Sequence, residues 1–330
     1  MYEIADCHND LLVAVRHLRE RGHSDPFGDF WLPQLLSGGV RFQVLPVFTE
    51  DQFVGEGALR RCLLLIEEAR RFAELHSSTV AIAESGAQLR KILSSGRIAL
   101  LLAIEGAEPI GNSLELLDVM RREGVRMCSL SWNRRTMMAD GTAEQDTGGR
   151  LTRLGVEAVG RLEDLGIVVD VSHLSEAGFF HLAEVAERPF IASHSSCRSL
   201  VDHPRNLTDR QLDTIRQSRG FVALNAFGPF VSNDTPSVDR YLDHVEHAVS
   251  RLGVDNVGLG PDFTEDLSRI VDPVFTGALT DPEATRSTPG LQRPADFTGL
   301  AQATETRFGP EVARKVLGSN LVNFIADALD

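Results

Sequence analysis

Two apolar runs in this chain end in the same way, on a histidine that small polar residues follow. They are "VVDVSHLSE" at 168–176, which contains His173, and "PFIASHSSC" at 189–197, which contains His194. Taken singly, each histidine is more typical of a core residue with its own hydrogen-bond partner. As a pair at the ends of neighbouring strands they favour metal ligation, because imidazole is a common ligand of zinc and similar ions.

Carboxylates follow other apolar runs. "ADCHND" at 5–10 contains His8 and Asp10 in an HxD pair, and "LLLAIEG" at 100–106 ends with Glu105. Residues i and i+2 of a strand share a face, so the HxD pair is predicted to reach one ion, although Asp10 could instead cap the next helix. A buried, unpaired carboxylate is costly, so Glu105 is predicted either to bind metal or to pair with Arg134 or Arg205.

This set of residues fits two metal ions better than one. The candidate ligands are His8, Asp10, Glu105, His173 and His194. If Glu105 bridges two ions, each ion also receives two further ligands, and the pair could hold a bridging hydroxide and polarise a carbonyl. Asp262, in "GLGPDF" at 258–263, is then left to shuttle protons. Asp170 stays open as a residue that supports a ligand or as a buried structural aspartate.

Eight short β-rich runs carry these residues, and most of them are almost continuously apolar. The runs are 2–8, 40–48, 98–106, 125–132, 166–173, 189–196, 220–227 and 256–263. Helical patterns lie between them, for example at 56–76, 113–124, 150–166 and 208–220. The alternation predicts a (β/α)₈ TIM barrel of the α/β class, whose active site lies at the carboxyl ends of the strands. An open doubly wound sheet is the alternative, but the first strand is not followed by a glycine-rich GxGxxG turn.

Composition limits the classes of partner. The net charge of -14 in 330 residues argues against nucleic acid or an anionic membrane surface. No run of 18 apolar residues and no leader pattern is present, and the four cysteines lack CxxC spacing, so we expect free thiols in a cytoplasmic protein. We expect one domain over 1–330, with a long loop at about 264–297, interpreted as a lid or dimer contact, and C-terminal helices.

Seven motifs in this order resemble the membrane (renal-type) dipeptidase family, the M19 metallopeptidases of the amidohydrolase superfamily. They are "DCHNDLL" (6–12), "AIEGAEPIG" (103–111), "LSWN" (130–133), "DVSHLSE" (170–176), "ASHSSCRSL" (192–200), "HPRNLTD" (203–209) and "GLGPDF" (258–263). The resemblance spans nearly the whole chain, and the combination is specific where no single motif would be. It implies a barrel with two zinc ions bridged by Glu105 and a hydroxide.

The resemblance also implies residue roles. Arg205 would bind the carboxylate of the substrate's C-terminal residue, although "HPRNLTD" is also a turn followed by a Thr208 helix cap. Asp262 would be the catalytic acid and base. Where the family often has a histidine that contacts the scissile carbonyl, this chain has Trp132. The indole N–H, Asn133 or Arg134 would then take that contact, or the substrate range has moved.

The sequence thus predicts a dipeptidase with two Zn²⁺ or similar divalent ions, whose substrates include L-Xaa-D-Xaa dipeptides. The resemblance indicates a bacterial-type member free of membrane attachment, with a homodimer as an expectation by analogy. Four arginines, Arg134, Arg135, Arg198 and Arg205, hint at an acidic C-terminal residue in the substrate. Two alternatives remain: hydrolysis of N-acyl amino acids, lactams or lactones at the same site, and a metal-stabilised barrel that serves as a scaffold.

Overall fold

A closed barrel of parallel strands forms the centre of the molecule. The structure, a computed structural model, describes residues 2–271 and 287–330. Its strands are β1 Ile4–Asp6, β2 Val40–Phe48, β3 Val80–Ile82, β4 Ile98–Glu105, β5 Val125–Ser129, β6 Val168–Asp170, β7 Ile191–Ala192, β8 Phe221–Leu224 and β9 Val257–Leu259. Eight of them close a ring in the order β1, β2, β4, β5, β6, β7, β8, β9, and β9 returns to β1. The prediction of a (β/α)₈ barrel is confirmed, and closure excludes the open doubly wound sheet.

Strand β3 is the element that the apolar pattern did not reveal. It pairs with the first half of β4, from Val80 against Ile98 to Ile82 against Leu100. The second half of β4 pairs on that side with β5 instead. Strand β3 therefore lies outside the ring of eight, and its three residues are too few to give a recognisable periodicity.

Helices follow the strands and cover the outside of the barrel. They are α1 Leu11–Glu20, α2 Leu32–Ser37, α3 Ala58–Leu75, α4 Gly86–Ser94, α5 Glu115–Arg122, α6 Arg153–Asp164, α7 Glu176–Val185, α8 Asp209–Gln217, α9 Gly228–Val231, α10 Val238–Leu252, α11 Glu265–Ile270, α12 Phe297–Phe308, α13 Pro310–Arg314 and α14 Asn320–Leu329. The four helical patterns correspond to α3, α5, α6 and α8. Thr208 caps α8 in a capping box with Gln211, as its sequence predicts.

The barrel interior is filled by apolar side chains, from alanines to Phe42 and Phe221, that alternate with outward residues along the strands. In β4 the inward row is Ala99, Leu101 and Ala103, all buried, and the residue two positions further on is Glu105. The period of two therefore carries the Glu105 carboxylate into the mouth of the barrel. At the opposite end, α14 closes the interior with Leu321 and Ile325.

The segment predicted as a long loop is only partly described. It contains the short helix α11, which the sequence pattern did not predict. Residues 272–286, the middle of the expected lid or dimer contact, lie outside the described residues. The chain is described again from Ser287, which bridges to Phe227, and the Thr288 hydroxyl donates to the Ala226 carbonyl at 2.6 Å. A single domain over 1–330 remains a prediction.

The four cysteines are free, as expected, and all four are buried. Among the helices that the structure describes, none combines the length and the apolar content needed to cross a bilayer.

Candidate metal centre and active site

Histidine and carboxylate side chains converge at the carboxyl ends of the barrel strands. His8 lies at the centre of one group: its Nε2 atom is 3.6 Å from Glu105 Oε2, 3.8 Å from Asp10 Oδ2 and 3.9 Å from Asp262 Oδ1. These distances allow one small cation to contact several of the groups at once. Two overlapping sets that could hold an ion arise, His8 with Glu105 and His194, and His8 with Asp10 and Asp262.

A second group of imidazole nitrogens faces the other oxygen of Glu105. His173 Nε2 lies 3.0 Å from Glu105 Oε1, and His194 Nε2 lies 3.5 Å from the same oxygen. The two Nε2 atoms are 2.7 Å apart. The carboxylate thus turns Oε2 toward His8 and Oε1 toward the histidine pair, which is the division that a bridging carboxylate requires.

The HxD pair converges for a different reason from the one that its spacing suggested. Strand β1 ends at Asp6, so His8 and Asp10 do not share a strand face. They approach each other in the turn into α1, where Asp10 occupies the N-cap position without a side-chain capping bond. Asn9 Oδ1 instead accepts from the Leu11 amide at 3.1 Å. The alternation argument was therefore wrong, and the Asp10 side chain is left for the site.

Burial and neighbouring charges shift the pKa values of the titratable groups in this site. Burial raises the pKa of the Glu105 carboxyl well above its usual range, and it also raises the pKa of Asp262. Burial alone lowers the pKa of His8, but the three surrounding carboxylates outweigh it and raise that pKa to about 10. Burial holds the pKa values of His173 and His194 well below normal, so both rings are neutral. A concentration of carboxylates beside neutral imidazoles attracts cations.

The donor set fits divalent metal ions. Buried His8 Nε2 and Asp10 Oδ1 have no hydrogen-bond partner among the described residues, although such atoms are normally paired. Imidazole nitrogens with carboxylate oxygens are ligands that zinc and related ions accept. The residues present therefore suit a metal centre.

Backbone strain marks the same place. Three residues other than glycine have positive φ angles in the described part of the chain, and two of them are His173 at 71° and Asp262 at 62°. The left-handed region costs a β-carbon-bearing residue about 1–3 kcal/mol, and such strain is concentrated at functional sites. Both side chains thus enter the site from backbone conformations that the surrounding fold must enforce.

Asn133 supports His173 from behind, a role that the sequence did not suggest. Asn133 Oδ1 lies 2.7 Å from His173 Nδ1 and accepts from the Thr142 hydroxyl at 2.7 Å. The ring Nδ1–H therefore donates to the amide oxygen, and Nε2 faces Glu105 with its lone pair. Trp132 lies beside this histidine, with ring centroids 5.8 Å apart, and also packs against Phe48 at 5.2 Å.

Asn225 is a site residue that sequence reasoning missed. Its Nδ2 atom donates to Asp262 Oδ2 at 3.0 Å, which leaves Oδ1 directed at His8. The available signal was the polar end of the run "GFVALNAF", which matches the pattern used to find the histidines.

Arg205 brings a buried positive charge to the site. It is 6% exposed, its Nη2 atom donates to the His194 carbonyl at 3.2 Å, and its guanidinium lies over the Phe230 ring. Burial lowers the pKa of Arg205 to about 10, so the group stays charged at neutral pH. No carboxylate among the described residues lies within 4 Å of it, so the Glu105–Arg205 ion pair considered from the sequence does not form.

The other nearby arginines are neutralised by this chain itself. Their ion-pair partners are Glu108 for Arg134, Asp140 for Arg135 and Glu176 for Arg198. Three of the four arginines are therefore paired within this chain, and only Arg205 lacks a carboxylate partner among the described residues. An acidic C-terminal residue in the substrate stays a prediction. Arg134 likewise makes no ion pair with Glu105.

The family model of the membrane dipeptidases, peptidase family M19, matches residues 1–272. The chain belongs to this family. As an M19 member it is a metallo-dipeptidase, a hydrolase that acts on peptide bonds and uses divalent metal. The resemblance stated from the sequence motifs is confirmed.

Named dipeptidases and solved metallopeptidases are similar to this M19 protein over nearly its whole length. Dipeptidase tcpJ of Claviceps purpurea (strain 20.1) is 28% identical over 345 residues, covering 98% of this chain and 77% of that protein. Dipeptidase AC, a solved metallopeptidase of family M19, is similar with a TM-score of 0.87 and 26% identity, covering 99% of each chain. A metallopeptidase from Rhodobacter sphaeroides, solved with a phosphinate mimic of the dipeptide L-Ala-D-Ala, has the same fold, with a TM-score of 0.87, 24% identity, and 100% of this chain and 99% of that one covered.

Proposed function

We propose that this M19 metallo-dipeptidase is a binuclear zinc enzyme. The observation that carries the proposal is that the two carboxylate oxygens of Glu105 face different histidines. Oε2 faces His8 at 3.6 Å, while Oε1 faces His173 at 3.0 Å and His194 at 3.5 Å. A single ion would need only one of these two groups. Two divalent ions would also balance the negative charge of the buried carboxylates.

The ligands divide between the two ions through Glu105. His8 and Asp10, with Oε2 of Glu105, would hold the first ion; His173 and His194, with Oε1, would hold the second. When bound, two such ions supply an activated water and polarise the scissile carbonyl.

Asp262 is proposed to move the proton. Its Oδ1 atom lies 3.9 Å from His8 Nε2, at the edge of the ligand group, and Oδ2 is fixed by Asn225. In this position it can take a proton from the attacking water and deliver it to the departing amine. Burial raises its pKa, which strengthens it as a base for that exchange.

Arg205 is proposed to bind the free carboxylate at the C-terminus of the substrate. A buried guanidinium without a carboxylate partner nearby is costly to maintain, and a substrate carboxylate would complete it with bidentate hydrogen bonds. This charge lies beside His194, so a carboxylate held by it would bring the adjacent peptide bond toward the metal ligands, as hydrolysis of a dipeptide requires. Trp132 and Asn133 are proposed to line the opposite side, near His173.

The substrate range is proposed to include L-Xaa-D-Xaa dipeptides. The support is the ligand of the Rhodobacter sphaeroides protein, a mimic of L-Ala-D-Ala. No arginine besides Arg205 is left uncompensated at this site among the described residues, so we expect neutral C-terminal residues to be accepted as readily as acidic ones.

A metal analysis combined with a substrate panel tests the proposal. Protein loaded with zinc and freed of excess metal should contain two ions per chain. It should hydrolyse members of a library of L,L and L,D dipeptides faster than the matching N-acetyl amino acids, lactams and lactones. One ion per chain would contradict the binuclear site. A preference for acyl amino acids or cyclic substrates would contradict the assignment of dipeptides as substrates.

A further inference from the structure

We propose that Asp170 is a positioning residue that fixes the hydrogen on His194 through the hydroxyl of Ser193. Asp170 lies at the end of β6, in the inward row that begins with Val168, and it is 5% exposed. The inference rests on the proposed function only in that His194 is taken as a metal ligand. It assigns a task to a carboxylate whose hydrogen bonds go to Ser172 and Ser193 and not to the group around Glu105.

The hydrogen bonds of Asp170 define which atoms carry hydrogens. Its Oδ1 atom accepts from the backbone amides of Ser172 and Ser193, each at 3.0 Å. Its Oδ2 atom lies 2.6 Å from the Ser193 hydroxyl. Backbone amides can only donate, and carboxylate oxygens accept. The hydroxyl of Ser193 therefore points its single hydrogen at Asp170, in preference to the Ser172 hydroxyl 3.3 Å away.

That choice determines the tautomer of His194. Ser193 Oγ lies 2.7 Å from His194 Nδ1, and with its own hydrogen already given to Asp170 it can only accept from this nitrogen. The ring hydrogen is thereby held on Nδ1. The Nε2 atom keeps its lone pair on the side of Glu105 Oε1 and His173 Nε2. Because His173 Nε2 also carries a lone pair, the 2.7 Å approach of the two nitrogens fits a shared cation and not a hydrogen bond. Only this tautomer can bind a cation through Nε2.

His173 is held in the same tautomer by an uncharged partner. His173 Nδ1 donates to the Asn133 amide oxygen, which Thr142 also holds. Asp170 does not take part in this arrangement. A change at Asp170 is therefore expected to act on His194 and to leave the tautomer of His173 as it was.

Asp170→Asn is the decisive change because it nearly preserves shape. The amide oxygen would stay against the two backbone donors, and the NH₂ group would then face Ser193 Oγ. Ser193 must accept from it and can give its own hydrogen to His194 Nδ1, so the ring hydrogen moves to Nε2. In Ser–His–Asp hydrolases the same exchange leaves the geometry intact and lowers kcat about 10⁴-fold. Loss of an outer partner of a metal ligand typically weakens metal affinity about 10–100-fold.

The first measurement uses metal-free protein labelled with ¹⁵N in its histidines. Nitrogen chemical shifts report which ring atom carries the hydrogen, with no need for metal or turnover. We expect Nδ1–H at His194 in the natural protein and Nε2–H in Asp170→Asn. Nε2–H at His194 in the natural protein, with the hydrogen shared toward His173, would overturn the inference even if the enzyme is a binuclear dipeptidase.

The second measurement is a metal titration against a chromophoric chelator. Asp170→Asn should weaken one of two sites about 10–100-fold and leave the other unchanged. Ser193→Ala removes the connecting hydroxyl without altering Asp170 and should also weaken one site, so it carries the test if Asp170→Asn does not fold. Ser196→Ala is the matched control, since the hydroxyl of this buried serine bonds, among the described residues, only to the Asn225 carbonyl. Equal affinities in Ser193→Ala and Ser196→Ala would refute the role.

Discussion

Replacing Asp262 with asparagine distinguishes two roles for this residue, that of a proton carrier and that of a metal ligand. Asp262 lies 3.9 Å from His8 Nε2, close enough to belong to an ion-binding set with Asp10. Asparagine keeps the size of the side chain and is, with aspartate, among the residues that best tolerate the left-handed backbone found here at φ 62°. It cannot take up or release a proton in the working pH range.

The expected effect is large on turnover and small on folding. General acid and base catalysis contributes about 10²–10⁴-fold, so kcat should fall by that factor, equivalent to about 3–5.5 kcal/mol of barrier. The hydrogen bond from Asn225, 3.0 Å long, can be kept by the amide oxygen but loses its charge assistance, which costs about 1 kcal/mol of unfolding free energy. Relief of repulsion with the neighbouring carboxylates offsets part of that cost.

The assay combines steady-state kinetics on an L,D dipeptide with elemental analysis of the same preparation. Two zinc ions per chain, an almost unchanged KM and a strongly reduced kcat would fit the role proposed for Asp262. Loss of one ion would make Asp262 a ligand instead. Full activity with both ions present would remove it from the mechanism. Asp262→Glu is the matched control: it keeps the carboxylate but shifts its position, so it should retain both ions and recover part of the activity.

Three further predictions follow from the geometry. His173→Ala should lose one metal ion of two, measured by elemental analysis, and retention of both ions would remove His173 from the ligand set. Arg205→Lys keeps a positive charge but not the bidentate fork, so KM for dipeptides should rise about 10–100-fold, with a smaller change in kcat; C-terminal dipeptide amides, poor substrates of the natural protein, should be hardly affected, and an equal loss on both would argue against carboxylate binding. Burial lowers the pKa of His244 to about 4, with Nδ1 accepting from the Cys197 amide and Nε2 facing the Val231 carbonyl. The unfolded chain takes up this proton first, so the contribution of His244 to stability is complete above about pH 6.5 and is lost as pH falls toward 4, by about 3 kcal/mol in all. His244→Gln should flatten the unfolding free energy in that window relative to the natural protein, and parallel curves would contradict the assignment.

The order of elements and the identity of the candidate ligands could be predicted from the sequence alone. Apolar runs of strand length alternate with amphipathic helices, and burial on both faces is what parallel barrel strands require. Histidines and carboxylates at the ends of such runs must meet at one rim, since all carboxyl ends of a parallel barrel lie on the same side. The motif combination was sufficient to indicate the M19 family.

Other features depended on angles and distances that the hydrophobic periodicity of the sequence does not specify. Strand β3 was too short to show a pattern, and His8 and Asp10 meet through a turn rather than along a strand. The pairing of Arg134, Arg135 and Arg198 with their own carboxylates depended on how the loops fold over one another.

The roles of Asn133, Asp170 and Ser193 belong to the tertiary structure for the same reason. A hydrogen bond forms or fails within a few tenths of an ångström, and its partners here come from different strands. Sequence could name Asp170 as a buried carboxylate, but only the 2.6 Å and 2.7 Å contacts on either side of Ser193 connect it to His194. The sequence determined which chemical groups were available, and the fold decided which atom of each side chain faces the candidate metal centre.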